Sequence, residues 1–176
     1  NAFNVAVGAS AGINVTTGIN NTLIGGQAGD ALTDADRNVA LGYAALSSDT
    51  LGSRSVAIGN SALFYQNFTT ATDTYNIAIG DRAGNNVTTG VQNTLIGGLA
   101  GDALTDADGN VAVGYNALGA NTVGSRAVAI GHAALLNQNP GTATNTFNIA
   151  IGYSAGAAIT SGTYNTIVGG EAGDAI

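Results

Sequence analysis

The sequence predicts an all-β chain coiled as a parallel β-solenoid. Three observations predict it: a five-residue motif recurs ten times, the copies fall at a regular period, and every copy ends in glycine. The copies are NVAVG at 4–8, NTLIG at 21–25, NVALG at 38–42, SVAIG at 55–59 and NIAIG at 76–80, then NTLIG at 93–97, NVAVG at 110–114, AVAIG at 127–131, NIAIG at 148–152 and NTIVG at 165–169. The closing residues are Gly8, Gly25, Gly42, Gly59, Gly80, Gly97, Gly114, Gly131, Gly152 and Gly169. Three residues beyond each stands Ala, from Ala11 to Ala172. Starts lie 17 residues apart, with every fourth step lengthened to 21, so the pattern returns after 72 residues. A unit this short cannot bury an apolar face alone; stacked copies can. The chain therefore reads as one segment, 1–176, with four-rung blocks at 4–75 and 76–147 and a partial block at 148–176.

Each motif is read as a strand. Its second and fourth residues are Val, Ile, Leu or Thr, and its third is Ala in seven copies and Leu or Ile in three. A period of two puts the second and fourth residues on one face and the third on the other. Both faces are apolar, as in a strand covered on both sides. One face is expected to fill the coil's own core and the other to meet further copies of the chain. The Ala column is read as the face where chains approach closely. Rungs with Thr at the second position carry Leu23, Leu95 or Ile167 at the third, which shifts volume between faces while conserving it. The fixed Gly implies a positive φ or a corner with no room for Cβ. Asn opens eight of the ten strands. It fits a hydrogen-bonded ladder between rungs and equally a simple turn residue. The residue after the fixed Ala alternates in pairs (Gly12 and Gly29, then Leu46 and Leu63), which points to duplication of a four-rung unit. Ten strands at about 4.8 Å give a rod of about 50 Å. The chain starts and stops in mid-pattern without a polar cap, so it reads as a window on a longer fibre.

Composition narrows the function. Charged residues are 9% and hydrophobic residues 45%, the reverse of the balance that keeps chains disordered. The net charge is −7, with four Arg and no Lys. That leaves no basic stripe for nucleic acid and none for anionic membranes. No run of about 18 apolar residues suggests membrane insertion. Without Cys there is no disulfide framework and no thiolate metal site.

The N-x-A-I-G-x-x-A pattern is similar to the head repeat of trimeric autotransporter adhesins. Stretches such as NVAVGYNALGANTVGSR resemble repeats of tail-fibre proteins from phages and marine bacteria. The resemblance covers the whole chain. It implies a left-handed coil assembled as a homotrimer, placed outside the cell, on its surface or on a virion.

Polar clusters supply the candidate sites. DALTDAD occurs twice, with Asp30, Asp34 and Asp36, and with Asp102, Asp106 and Asp108. Clustered carboxylates can hold Ca²⁺, the one cofactor the sequence suggests, although the spacing is not that of an EF-hand. The other reading is a solvated turn that keeps a low-charge rod apart from its neighbours. The long rungs carry FYQNFTTATDTY and LNQNPGTATNTF. Phe64, Tyr65, Phe68, Tyr75, Asn137 and Asn139 there suit a glycan, or else seal the rod or an interchain seam. His132 is the only His and varies to Tyr, Asn or Asp in other rungs, so it reads as exposed and not as a general base. The Arg residues read as surface ion-pair partners. Ice binding is set aside because Thr16-Thr17 and Thr88-Thr89 recur only once per block and Ser161 interrupts the third copy. Repetition at every position leaves no unique constellation, so no enzyme is expected. Two functions stay in view. The first is a structural fibre segment, shaft or adhesin head, that spaces or displays receptor-binding elements. The second is a carbohydrate-binding module using loops 64–75 and 136–147.

Overall fold

The computed structural model describes residues 2–174, in which there are fourteen short strands and no helix. The strands are β1 (Val5–Val7), β2 (Thr22–Ile24), β3 (Val39–Leu41), β4 (Gly52–Ser53), β5 (Val56–Ile58), β6 (Thr72–Asp73) and β7 (Ile77–Ile79). They continue with β8 (Thr94–Ile96), β9 (Val111–Val113), β10 (Gly124–Ser125), β11 (Val128–Ile130), β12 (Thr144–Asn145), β13 (Ile149–Ile151) and β14 (Thr166–Val168). Ten of them, one per motif, form a single parallel sheet in the order β1-β2-β3-β5-β7-β8-β9-β11-β13-β14. The register is residue on equivalent residue, as in Val5 on Thr22 and Ala129 on Ala150. The fold is thus a parallel β-solenoid of about ten turns built from tandem repeats. The short pairs β4–β6 and β10–β12 appear only at the long rungs.

The fixed Gly is required twice over. Gly59 has φ +132°, and a Cβ there would run into the carbonyl of Gly80 on the next rung. The same clash recurs up the column, Gly8 against Gly25 and Gly131 against Gly152 among them. Positive φ combined with backbone contact leaves no other residue for this corner.

The third residue of each five-residue motif points into the coil. Leu23, Ala40, Ala57, Ala78, Leu95, Ala112, Ala129 and Ala150 are fully buried. This corrects the expectation that the Ala column lies between chains. The second and fourth residues point outward, with Val7, Ile151 and Val168 exposed by 57%, 39% and 68%. The reason is width: the opposite wall sends its own side chains, such as Leu32, Val87 and Leu104, into the same narrow space. Only Ala, or one large residue every fourth rung, fits between the walls.

The paired Gly-Gly and Leu-Leu pattern has a packing cause. Leu23 sets one δ-methyl where a Cβ on Gly12 would be and the other where a Cβ on Gly29 would be. One Leu thus occupies two successive rungs, and both lack a side chain at that place. Where the strands carry Ala, Leu46 and Leu63 fill the gap instead, at φ of 53° and 50°. A bulky residue in this region is costly, by about 1–3 kcal/mol. The cost is offset by full burial and by bonds to the next rung, Leu46 N–H to Ala62 O at 3.0 Å and Leu63 N–H to Ala83 O at 3.1 Å.

The Asn residues that open eight of the ten motifs form a ladder, broken at Ser55 and Ala127. Asn21 N–H donates to Asn4 Oδ1 at 2.8 Å, Asn38 N–H to Asn21 Oδ1 at 2.9 Å and Ser55 N–H to Asn38 Oδ1 at 2.8 Å. From Asn4 to Asn148 each of these Asn Nδ2 groups also donates to a carbonyl later in its own rung, as Asn93 does to Ala107 O at 2.8 Å. Asn21, Asn38, Asn93 and Asn110 are fully buried, so the ladder satisfies backbone groups that water cannot reach.

Candidate functional site

Two walls of the coil differ in chemistry. The sheet wall is aliphatic on its outer side. The opposite wall is formed by the eleventh to thirteenth residues of each rung. Its middle residue points inward and the two flanking ones outward, again with period two. The outer residues of that wall are Asn14 and Thr16, Ala31 and Thr33, Ser48 and Thr50, Tyr65 and Asn67, Asn86 and Thr88, continuing upward to Ala158 and Thr160. None is charged. The thirteenth position is Thr in seven rungs and Asn in two, a column running through nine rungs. The column follows the rung offset and takes in only the first Thr of the Thr16-Thr17 and Thr88-Thr89 pairs, which themselves recur once per block. Thr16, Thr33 and Thr105 each donate from Oγ1 to the carbonyl of the Thr above, at 3.2, 3.1 and 3.1 Å.

The inward twelfth position holds Val15 and Leu32, then Asp49 and Gln66; the next block has Val87 and Leu104, then Asn121 and Gln138. The polar pairs build networks inside the coil at the long rungs. Gln66 Nε2 donates to Asp49 Oδ2 and to Ser55 Oγ, and Ser55 Oγ lies 2.6 Å from Thr74 Oγ1. Asn76 Nδ2 donates to Gln66 Oε1 at 2.8 Å. Gly52 N–H and Phe68 N–H donate to Asp49 Oδ1 at 3.0 and 3.1 Å. Burial raises the Asp49 carboxyl above its ordinary value, more than these bonds lower it. In the second block Asn121 replaces Asp49 and pairs with Gly124 through both N–H and C=O, each at 2.8 Å. Sequence reasoning missed these residues because Asp, Gln and Asn read as loop; only their shared offset with Val15 and Leu32 marks them as inward.

The candidate carboxylates are dispersed. Asp30 Oδ1 accepts from Ser47 Oγ at 2.6 Å, Asp34 Oδ1 from Thr17 Oγ1 and Asp36 Oδ1 from Ile19 N–H at 2.8 Å. Asp108 Oδ1 accepts from Val91 N–H at 2.8 Å, and Asp106 Oδ1 from Thr105 Oγ1 at 3.2 Å. Asp102 is partly buried, which raises its carboxyl. Among the described residues, no three His, Cys, Asp or Glu side chains gather around a point that could hold a metal ion. The coil assigns most of these acids to bonds between neighbouring rungs.

The long rungs leave the coil only briefly. Residues 69–71 and 141–143 are exposed, while residues 64–68 continue the ordinary rung. Phe68 is buried and is withdrawn from any ligand. Tyr75 and Phe147 lie on the edge of the sheet wall, under the guanidinium groups of Arg54 and Arg126 at 5.6 and 5.7 Å. Arg54 Nε also pairs with Asp73 at 2.7 Å. Phe147 stacks on Tyr164 at 5.2 Å. His132 stacks between Tyr115 and Tyr153, at 5.5 and 5.2 Å, in an exposed column. Asn137 spends its Nδ2 on Ala157 O, and Asn139 Oδ1 accepts from Thr122. Tyr65 stands apart: half its surface is exposed, and it forms the end of a shallow open groove with Asn67, Asn86, Thr88, Thr105 and Thr122.

Comparison with family models, with curated proteins and with solved structures found no match to this chain. The class established is therefore that of the fold, a tandem-repeat β-solenoid.

Proposed function

We propose that the chain is a structural segment of an extracellular or virion fibre, assembled as a homotrimer and spacing or displaying receptor-binding elements. The observation that carries this is the outer side of the ten-stranded sheet. Its second and fourth positions are Val, Ile or Leu except for Thr22, Thr94 and Thr166. Many stay exposed, including Val5, Leu41, Ile77, Ile96, Ile130 and Ile149. Parallel sheets are covered on both faces almost without exception. A monomer rarely leaves a contiguous apolar patch beyond a few hundred Å². In-register rows of β-branched residues are self-complementary, which favours another copy of the chain as the cover. The number three rests on the likeness of the repeats to trimeric adhesin heads. The reading gives the segment no catalytic role.

Sedimentation equilibrium and native mass measurement test the reading. A stable trimer at micromolar concentration is expected. A well-folded monomer at that concentration would overturn it.

A further inference from the structure

We propose that the groove beside Tyr65 binds a neutral glycan. The proposal goes beyond the fibre reading and uses the other wall of the coil. Side chains of the two walls meet inside: a Cβ on Gly29 would lie 2.8 Å from Leu23 of the sheet wall and 2.8 Å from Leu32 of the opposite wall. Their outward residues therefore point in opposite directions, and the groove stays open when the aliphatic face is covered.

Three features define the ligand. The first is a fixed aromatic platform. Tyr65 is 51% exposed, and its ring meets that of Phe64 edge to face, with centroids 4.7 Å apart and planes at 85°. An aromatic face held this way receives the C–H face of a sugar ring at little entropic cost. The second is uncommitted polarity. The hydroxyls of Thr16, Thr33, Thr50, Thr105 and Thr122 are spent on acceptors of the next rung, but among the described residues the Thr88 hydroxyl and the Asn86 side-chain amide have no partner. Asn67 uses only its Oδ1, accepting from Thr50 at 3.1 Å, and keeps its amide N–H groups available. These donors and acceptors line the same groove as the ring, and mostly apolar sites orient a hydroxyl-rich ligand with a few such groups. The third is charge: no lining residue is ionised, and the chain carries −7, so an anionic polymer has no counter-charge here.

The next block supplies an internal contrast. There Asn137 stands at the Tyr65 position and Ala158 at the Asn86 position, and the Asn137 amide already donates to Ala157 O at 2.9 Å. Thr160 and Asn139 repeat Thr88 and Asn67, so what occurs in one block only is the aromatic platform of Tyr65 together with the free amide of Asn86.

The test is a glycan array carrying neutral and acidic oligosaccharides, probed with the full chain, followed by calorimetry on the strongest neutral hit. Tyr65→Asn and Asn86→Ala introduce the residues of the next block, so both are compatible with the coil; thermal melts verify that each folds. One neutral glycan per chain is expected, with affinity reduced at least about tenfold by either variant and unchanged by Asn137→Ala. The proposal is overturned by no binding, by binding of acidic glycans alone, or by affinity indifferent to both folded variants. It is also overturned if Tyr65→Asn changes the oligomeric mass, which would make the groove a contact between copies. Mass and glycan binding are separate readouts, so the fibre reading and this one can fail independently.

Discussion

Leu95 occupies the space that a side chain on Gly84 would need, since a Cβ built there would lie 2.7 Å from one of its δ-methyl groups. Its other δ-methyl stands 2.8 Å from the Cβ position of Gly101. The two glycines and the Leu therefore form one packing unit. Gly84→Ala overfills it at a φ of +57°, a loss of about 1–3 kcal/mol. Leu95→Ala empties it, a loss of about 2–5 kcal/mol. The double variant is expected to lose less than the sum, because the truncated Leu makes room for the new methyl. A double-mutant cycle by chemical denaturation measures this, and strict additivity would refute the shared-space account.

Asn93 holds two buried backbone groups. Its Oδ1 accepts from Asn110 N–H at 3.0 Å, and its Nδ2 donates to Ala107 O at 2.8 Å. Asn93→Ala leaves both unpaired where water does not reach, at about 1–3 kcal/mol for each. The natural breaks in the ladder, Ser55 and Ala127, differ because the long rung supplies a substitute: Gln66 and Gln138 take the Nδ2 of Asn76 and Asn148, both at 2.8 Å. Gln138→Ala is thus expected to destabilise, whereas a surface amide such as Asn67 is expected to be nearly neutral when replaced by Ala. Equilibrium unfolding of the three variants checks the order.

The period, the corner Gly and the strand motif were legible in the sequence, because each repeats at a fixed offset and has a local cause. Which strand face turns inward was not. Alternation separates Val5 and Val7 from Ala6 but does not say which side encloses the core; that depends on Leu23 and Leu32 meeting across a narrow interior. The Asn ladder was half legible, since Asn suits both a turn and a ladder, and only the stacking of rungs selects the ladder. The candidate groove was less legible still. Tyr65 stood out, but Asn86 and Thr88 belong to the following rung, and their lack of internal partners is a property of packing.

Asp49 makes stability depend on pH with an unusual sign. Burial raises its carboxyl above the usual carboxylate range, so the folded state holds that proton more tightly than the unfolded chain. Through the window between the two values, stability from this group falls as pH rises. At neutral pH the charged carboxylate is a net cost inside the coil. Asp49→Asn removes it, and Asn121 shows that an amide fits the equivalent place with two bonds to Gly124. The variant is expected to be more stable than the parent at neutral pH, within the gain of about 0.5–2 kcal/mol usual for a stabilising substitution. The advantage should shrink on acidification. Asp102, raised with the same sign by its partial burial, is common to both proteins and cancels in the difference. Melts of the pair across the acidic range decide; a parent that is the more stable at neutral pH would contradict this account.

Ile130 and Ile151 are neighbours in register on the outer side of the sheet, exposed by 37% and 39%. Their side chains make no part of the coil's interior, which is filled at this level by Ala129 and Ala150. Replacing both with Asp puts two charges side by side on the face assigned to self-association. Like charges directly opposite on adjacent strands cost some stability of their own, about 0.2–1 kcal/mol, so the coil is expected to survive. Burying them against another copy costs far more, because each would lose its water without gaining a partner. The double variant is therefore expected to sediment as a folded monomer with the far-ultraviolet spectrum of the parent. A trimer that persists would show that this face is not where the copies meet. A trimer lost only together with the fold would show that self-association and the coil cannot be separated; milder Ile130→Thr and Ile151→Thr changes, which keep β-branching and place on this outer face the residue that Thr166 already places there at the other outward position, would then distinguish a contact from a structural dependence.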